Sequence, residues 1–225
     1  MEATPPEFGS FSHADDADPA ALGRYLDAVA GEGAVARWKA LSFDLLEAGP
    51  GTVIVDVGCG LGDDVRALAL RTAPGGRAIG VDRSESMIAE ARRRSAGGAG
   101  EGCEFHVADA ASIPLPDGVA DGCRCERVLQ HVADPAAAVR EMARVVRSGG
   151  IVLAAEPDWG TLVIDGGDPE IESALAAVAM ARVRSPAAGR SLRRLLSQAG
   201  LAEVEVMART LVLTDLPRAE LLLGI

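Results

Sequence analysis

Residues Val53 to Gly62 read VIVDVGCGLG, a run of apolar residues interrupted by Asp56 and leading into glycines at alternate positions, Gly58, Gly60 and Gly62. Glycine takes positive φ at no steric cost and lets a ligand approach the backbone. A helix beginning there offers unpaired N–H groups. The third glycine comes one residue too early for the G-x-G-x-x-G fingerprint of dinucleotide folds, which argues against a nicotinamide-dependent oxidoreductase. A second acid, Asp82, closes the apolar stretch that ends in GVD, 24 positions after Gly58. A carboxylate at that height can accept both hydroxyls of a ribose, and its charge disfavours a 2′-phosphate. A third, Asp109, follows Ala108 at the end of another apolar stretch and can accept an adenine amino group. Taken singly, these residues also read as a tight strand–helix turn or a helix cap. Jointly they set three strand ends along one sheet edge, the place where open α/β folds bind ligands.

The elements that must position them follow from periodicity. Strands are expected at 53–57, 77–81, 104–108, within 118–128 and at 151–155, alternating with helices over 63–72, 84–94 and from Asp134-Pro135 onward. Such alternation predicts a mostly parallel sheet flanked by helices, an α/β Rossmann-like fold. Asp18-Pro19 caps a first helix, and a second carries Val35, Trp38, Leu41 and Leu45; these two helices precede the first strand and are placed to form a lid. Beyond the fifth strand, helices are expected from Asp168-Pro169 and over 191–198, then a long strand from Leu201 to Leu213. The division expected is a mobile arm over 1–18 and one domain over 19–225. Within it lie lid helices (19–51), a cofactor-binding core (52–160) and a substrate-side and C-terminal part (161–225).

The chain of 225 residues carries 33 Asp and Glu against 22 Lys and Arg, a formal net charge of −11. Such a surface repels phosphate backbones, so nucleic acid is excluded as a partner. The sequence shows no run apolar enough to span a membrane and no basic-then-apolar leader, so a cytoplasmic protein is expected. The four cysteines, Cys59, Cys103, Cys123 and Cys125, form no C-x-x-C pair. Cys123 and Cys125 share one strand face and read as buried thiols, and no metal site is expected. A single lysine, Lys39, among 22 basic residues, with a heavy load of Ala and Gly, points to a GC-rich bacterial source.

The sequence resembles the class I S-adenosylmethionine-dependent methyltransferases, particularly the small-molecule group that includes the ubiquinone and menaquinone biosynthesis enzymes. The resemblance rests on DVGCGLG at 56–62, GVD at 80–82, Asp109-Ala110, ERVLQHVADP at 126–135 and EMARVVRSGG at 141–150. It covers about Leu41 to Pro157 closely. It implies S-adenosylmethionine as cofactor and S-adenosylhomocysteine as product. The cofactor-binding set is then Asp56, Gly58, Cys59, Gly60, Asp82, Arg83, Met87, Asp109, Ala110 and Arg127. Gly58 and Gly60 would pass the methionine part, Asp82 the ribose, and Arg83, Asp109 and Ala110 the adenine, with Arg127 giving backbone to the methionine end. The fold so implied ends in a β-hairpin, and no clear second strand follows Leu213.

Methyl transfer from a sulfonium is an in-line displacement, so proximity and orientation can carry most of it. A general base helps with a phenol, alcohol or ammonium acceptor. His131, just past the fourth strand, is the candidate catalytic residue; a structural place at a helix entry is its other reading. His106 is expected to pack within its strand, and His13 lies in the arm. Tyr25, Glu156, Asp158 and Trp159 are candidate substrate contacts, Trp159 by stacking, although a tryptophan folded onto the core fits equally well. A small-molecule acceptor is therefore expected, with O-methylation ahead of N- or C-methylation and natural-product tailoring as a setting. A non-catalytic binding or regulatory protein on the same fold is the rival from another class. The apolar end, Leu216 to Ile225, is expected either to pack against a second copy in a homodimer or to belong to a longer chain.

Overall fold

The computed structural model describes residues 19–223; the arm at 1–18, His13 with it, and Gly224 and Ile225 lie outside the described residues. Two helices come first, α1 (Pro19–Gly31) and α2 (Gly33–Leu45). The alternating core follows: β1 (Val53–Val57), α3 (Asp63–Thr72), β2 (Arg77–Asp82), α4 (Glu85–Arg94), β3 (Cys103–Val107), β4 (Ala120–Glu126), α5 (Pro135–Val145) and β5 (Val146–Ala155). Three helices complete it, α6 (Pro169–Ala181), α7 (Ala188–Gln198) and α8 (Leu216–Leu223). The helix starts are chemically marked. Ser84 accepts the Met87 amide ahead of α4, Asp134 the Ala137 amide ahead of α5, and Asp168 the Glu170 and Ile171 amides ahead of α6. In α5 and α6 a proline fills the first turn, where no N–H is needed.

The sheet is wholly parallel, in the order β3-β2-β1-β4-β5. The chain steps outward from β1 to β3, then crosses back to lay β4 on the other side of β1. That reversal opens a crevice at the carboxyl ends of β1 and β4. Alternation sorts each strand between two layers. Val55, Val57, Ile79, Val81, Cys123 and Cys125 bury into the layer of α5 and α7. Ile54, Ala78 and Phe105 bury into the layer of α2, α3 and α4. Cys123 and Cys125 are thus fully buried on one face as free thiols.

The segment 201–213 corrects the sequence reading. It forms no strand, and the sheet edge on that side is β5. Leu201 and Val204 anchor its start to the α5–α7 layer, whereas Leu211 and Leu213 anchor its end to α1. Glu203, at φ 52°, bends the backbone out of the extended region near the start. The alternating apolar residues therefore serve two separate anchorages, and Val206 and Val212 between them stay exposed. Among the described residues of the apolar tail, Leu222 packs within the chain while Leu216 stays exposed. In α8, Leu222 is buried beside Leu22, Tyr25 and Val29, and Arg218 pairs with Glu32 at 3.0 Å. No helix among the described residues is long and apolar enough to cross a membrane.

Candidate cofactor and acceptor site

The glycine turn is fastened to the strand beside it. The amides of Gly58 and Cys59 both donate to the Val81 carbonyl, at 2.7 and 3.1 Å. Gly58 sits at φ 73°, and a Cβ there would lie 2.2 Å from Val128 Cγ2. Positive φ and the closeness of the post-β4 turn both demand glycine at this point.

Asp82 ends β2 with each carboxylate oxygen holding one backbone amide: Oδ2 accepts from Gly60 N and Oδ1 from Ser84 N, both at 2.9 Å. Asp109, beyond β3, is exposed and accepts from Ala111 N at 2.8 Å, with Ala110 buried next to it. The glycine turn, Asp82 and Asp109 thus stand along the carboxyl edge of three adjacent strands, β1, β2 and β3. Arg83 is exposed at the same edge.

Three further sequence-predicted residues have other surroundings. Met87 is buried under α1 with Leu22, Tyr25 and Leu61. Cys59 is buried against β2, where its Sγ would lie 2.7 Å from a Cβ placed on Gly80, and desolvation holds its thiol well above the usual range. Asp56 points into the α2–α3 layer and meets Arg124, its register partner on β4, at 2.9 Å.

Arg124 has no exposed surface and is the centre of a buried ionic cluster. It pairs with Asp56, with Asp64 at the start of α3 (2.8 Å) and with Glu126, while Lys39 from α2 reaches Asp64 at 2.7 Å. Burial raises the Asp56 carboxyl, against the pull of Arg124, whereas Arg124 and Lys39 together lower Asp64 despite its own burial. Sequence reading missed Arg124. Its only signal was a charge between two buried cysteines on a strand, and the β1–β4 pairing that gives it a partner is invisible in the chain order.

The candidate acceptor residues lie on and around the turn after β4. Arg127 takes φ 58°, left-handed for a residue that is not glycine. Its amide donates to Ala155 O at 2.9 Å, and its guanidinium donates to the hydroxyl of Tyr25, from the lid helix α1, at 3.2 Å. His131 closes this turn, its amide donating to Val128 O at 2.9 Å. Burial and the nearby Arg127 charge push its imidazole down to about 4.

Glu156 and Trp159 face inward, whereas Asp158 lies nearer the surface. Glu156 accepts from the amides of Val128, Leu129 and Gln130, and desolvation, opposed by those bonds, pushes its carboxyl up to about 7. Asp158 caps a short 3₁₀ turn over Trp159–Thr161 and pairs with Arg190 at 2.8 Å. Trp159 is buried against Ala179 and Val183, its indole N–H donating to Gln130 Oε1 at 2.7 Å. Of its two sequence readings, the tryptophan folded onto the core matches these contacts. Gln130, which no sequence signal singled out, links the two parts.

Comparison with known proteins points to one family. Residues 55–154 match the methyltransferase domain family. The chain is 42% identical over 202 residues to a 37.1 kDa protein in transposon TN4556 of Streptomyces fradiae, covering 89% of this chain and 58% of that one. It is 32% identical over 120 residues to a ubiquinone/menaquinone biosynthesis C-methyltransferase of Hahella chejuensis, covering 53% of this chain and 48% of the relative. The chain thus spans about half the length of these relatives. Among solved structures, a SAM-dependent methyltransferase from Aquifex aeolicus shares the fold, with a TM-score of 0.57 at 18% identity over 72% of this chain and 78% of that one. Residues 55–154 therefore carry a methyltransferase domain similar to the class I S-adenosylmethionine-dependent enzymes, whose cofactor is S-adenosylmethionine and whose product is S-adenosylhomocysteine.

Proposed function

We propose that the protein transfers a methyl group from S-adenosylmethionine to a small-molecule acceptor, with oxygen as the accepting atom. The observation that carries the reading is the convergence of the glycine turn, Asp82 and Asp109 on the carboxyl ends of three neighbouring strands. In this reading Asp82 accepts the ribose hydroxyls, Asp109 the adenine amino group, and the Gly58–Gly60 backbone passes the methionine part. The sulfonium would supply an activated methyl, the acceptor–carbon bond forming in line as the carbon–sulfur bond breaks and S-adenosylhomocysteine departs. The residues past β4 then act on the acceptor. Arg127 and Tyr25 are joined beside the turn after β4, and His131, which burial and the Arg127 charge keep neutral near pH 7, takes the acceptor's proton as a weak base. Proximity is worth more here, roughly 7–11 kcal/mol in favourable cases, against about 10²–10⁴-fold for a general base.

A second reading, methylation at carbon, is favoured by the relative whose name specifies C-methylation. The non-catalytic rival shares the cofactor edge and differs only in turnover. The test is incubation with methyl-labelled S-adenosylmethionine and a panel of phenols, alcohols, amines and quinols, with mass spectrometry locating the label. Label on oxygen supports the reading; label on ring carbon replaces it with the second. Binding of S-adenosylhomocysteine without any transfer across the panel would favour the non-catalytic rival.

A further inference from the structure

We propose that Glu156 is a positioning residue whose carboxylate, with Trp159 acting through Gln130, clamps the 127–131 turn so that Arg127 and His131 are presented at the carboxyl end of β4. The inference rests on the reading above, in which that edge is where acceptor and methyl group meet.

The turn needs a clamp for a backbone reason. Arg127 holds a left-handed φ of 58°, a conformation that persists in a residue with a side chain only where its surroundings over-determine it. Arg127 N is held by Ala155 O at 2.9 Å, and the Arg127 carbonyl accepts from Gln130 Nε2 at 3.2 Å. Gln130 can donate there because its Oε1 is taken by the Trp159 indole N–H at 2.7 Å, which fixes the orientation of the amide. The next two amides, Val128 and Leu129, both end on Glu156 Oε1 at 2.7 Å, with Gln130 N on Oε2 at 3.3 Å. The Gln130 carbonyl accepts from Ser185 N at 2.9 Å, which ties the far side of the turn to the segment after α6.

Three successive backbone donors converging on one carboxylate make a nest occupied by an anion from the protein itself. Bonds to a charged acceptor are about twice as strong as neutral ones. The burial that raises the Glu156 carboxyl to about 7 marks the cost of keeping that charge inside, and Arg127 is the cation that offsets part of it. A glutamate that merely filled space would have no reason to meet three amides in a row. Glu156 touches no reacting atom in this arrangement; it acts through Arg127 and His131.

Two variants and two readouts test this. In Glu156→Ala, the amides of Val128 and Leu129 should exchange with deuterium about 10- to 100-fold faster, the scale of a lost charge-assisted bond, while amides of β1 to β3 keep their rates. Glu156→Gln retains an oxygen for those two amides, so their protection should return to within a few-fold of the unaltered protein. The second readout is calorimetry with S-adenosylhomocysteine alongside turnover of the acceptor from the labelled-methyl panel. Turnover should fall in Glu156→Ala and recover in Glu156→Gln, and affinity for S-adenosylhomocysteine, which in the proposed reading uses the Arg127 backbone, should follow the same order with a smaller change. Unaltered exchange at Val128 and Leu129 in Glu156→Ala overturns the clamp, as does acceleration spread equally over β1 to β3. Failure of the unaltered protein to bind S-adenosylhomocysteine overturns the functional reading instead, and the local exchange result then supports the clamp on its own.

Discussion

The Asp82 carboxylate accepts the Gly60 amide at 2.9 Å and so joins the end of β2 to the glycine turn that follows β1. One side chain therefore shapes the turn and, in the proposed reading, also accepts the ribose hydroxyls. Asp82→Ala removes both. Hydrogen bonds to a charged group are worth about 1.5–3 kcal/mol, so S-adenosylhomocysteine should bind about 10- to 100-fold more weakly by calorimetry. Affinity equal to that of the unaltered protein would remove Asp82 from the proposed cofactor set.

Gly58→Ala should be damaging for two additive reasons. The residue sits at φ 73°, and its new methyl would meet Val128 Cγ2 at 2.2 Å. A disfavoured φ and an overpacked contact each cost about 1–3 kcal/mol. The expected result is a clear fall in the thermal midpoint together with weaker S-adenosylhomocysteine binding, because the displaced Val128 lies on the turn that carries Arg127. A variant that melts with the unaltered protein would show that Val128 moves aside freely.

How far the sequence reaches is clearest by comparing these residues with Arg124. Gly58, Asp82 and Asp109 each sit where a strand ends, and strand ends are legible from apolar runs and glycine alone. Arg124 draws its meaning from Asp56, 68 positions away, and only the crossover that seats β4 beside β1 brings them together. The same limit governs Glu156 and Trp159. Their place after the fifth strand was legible, but not that their polar atoms turn back onto the 128–130 turn. The error over 201–213 has a different origin. Alternating apolar residues record burial on one side, and a strand is only one way to obtain it. Here Leu201 and Leu213 bury against different layers, with a bend at Glu203 between them.

Arg124→Met tests the buried cluster. Removing one partner of a buried ion pair typically costs about 3–5 kcal/mol, because the remaining charge loses its compensation. Here Asp56 and Glu126 would lose their ion-pair partner and Asp64 would keep Lys39 alone. Urea denaturation should show a loss of that order. Adding Asp56→Asn should recover part of it, since the most buried carboxylate is then neutral. Independent, additive losses from the two changes would mean that the cluster does not act as a unit.

His131 ties stability and chemistry to pH through one group. Its folded-state pKa lies near 4 against an ordinary 6.5, because burial and Arg127 disfavour the imidazolium. Between those values the unfolded chain binds more protons at this site than the folded one. The stabilising contribution is therefore complete above about pH 6.5 and is lost as the pH falls toward 4. His131→Asn has no such titration. The stability difference between the unaltered protein and this variant should accordingly shrink as pH drops from 6.5 to 4, measured by denaturant unfolding at each pH, so that the titrations of Asp56 and Glu156, common to both proteins, cancel. The kinetic consequence is separate. If His131 takes the acceptor's proton, turnover should fall about 10²–10⁴-fold in His131→Asn, with S-adenosylhomocysteine affinity unchanged. A pH-dependent stability difference together with turnover within a few-fold of normal would assign His131 to the architecture of the turn and leave proximity to carry the transfer.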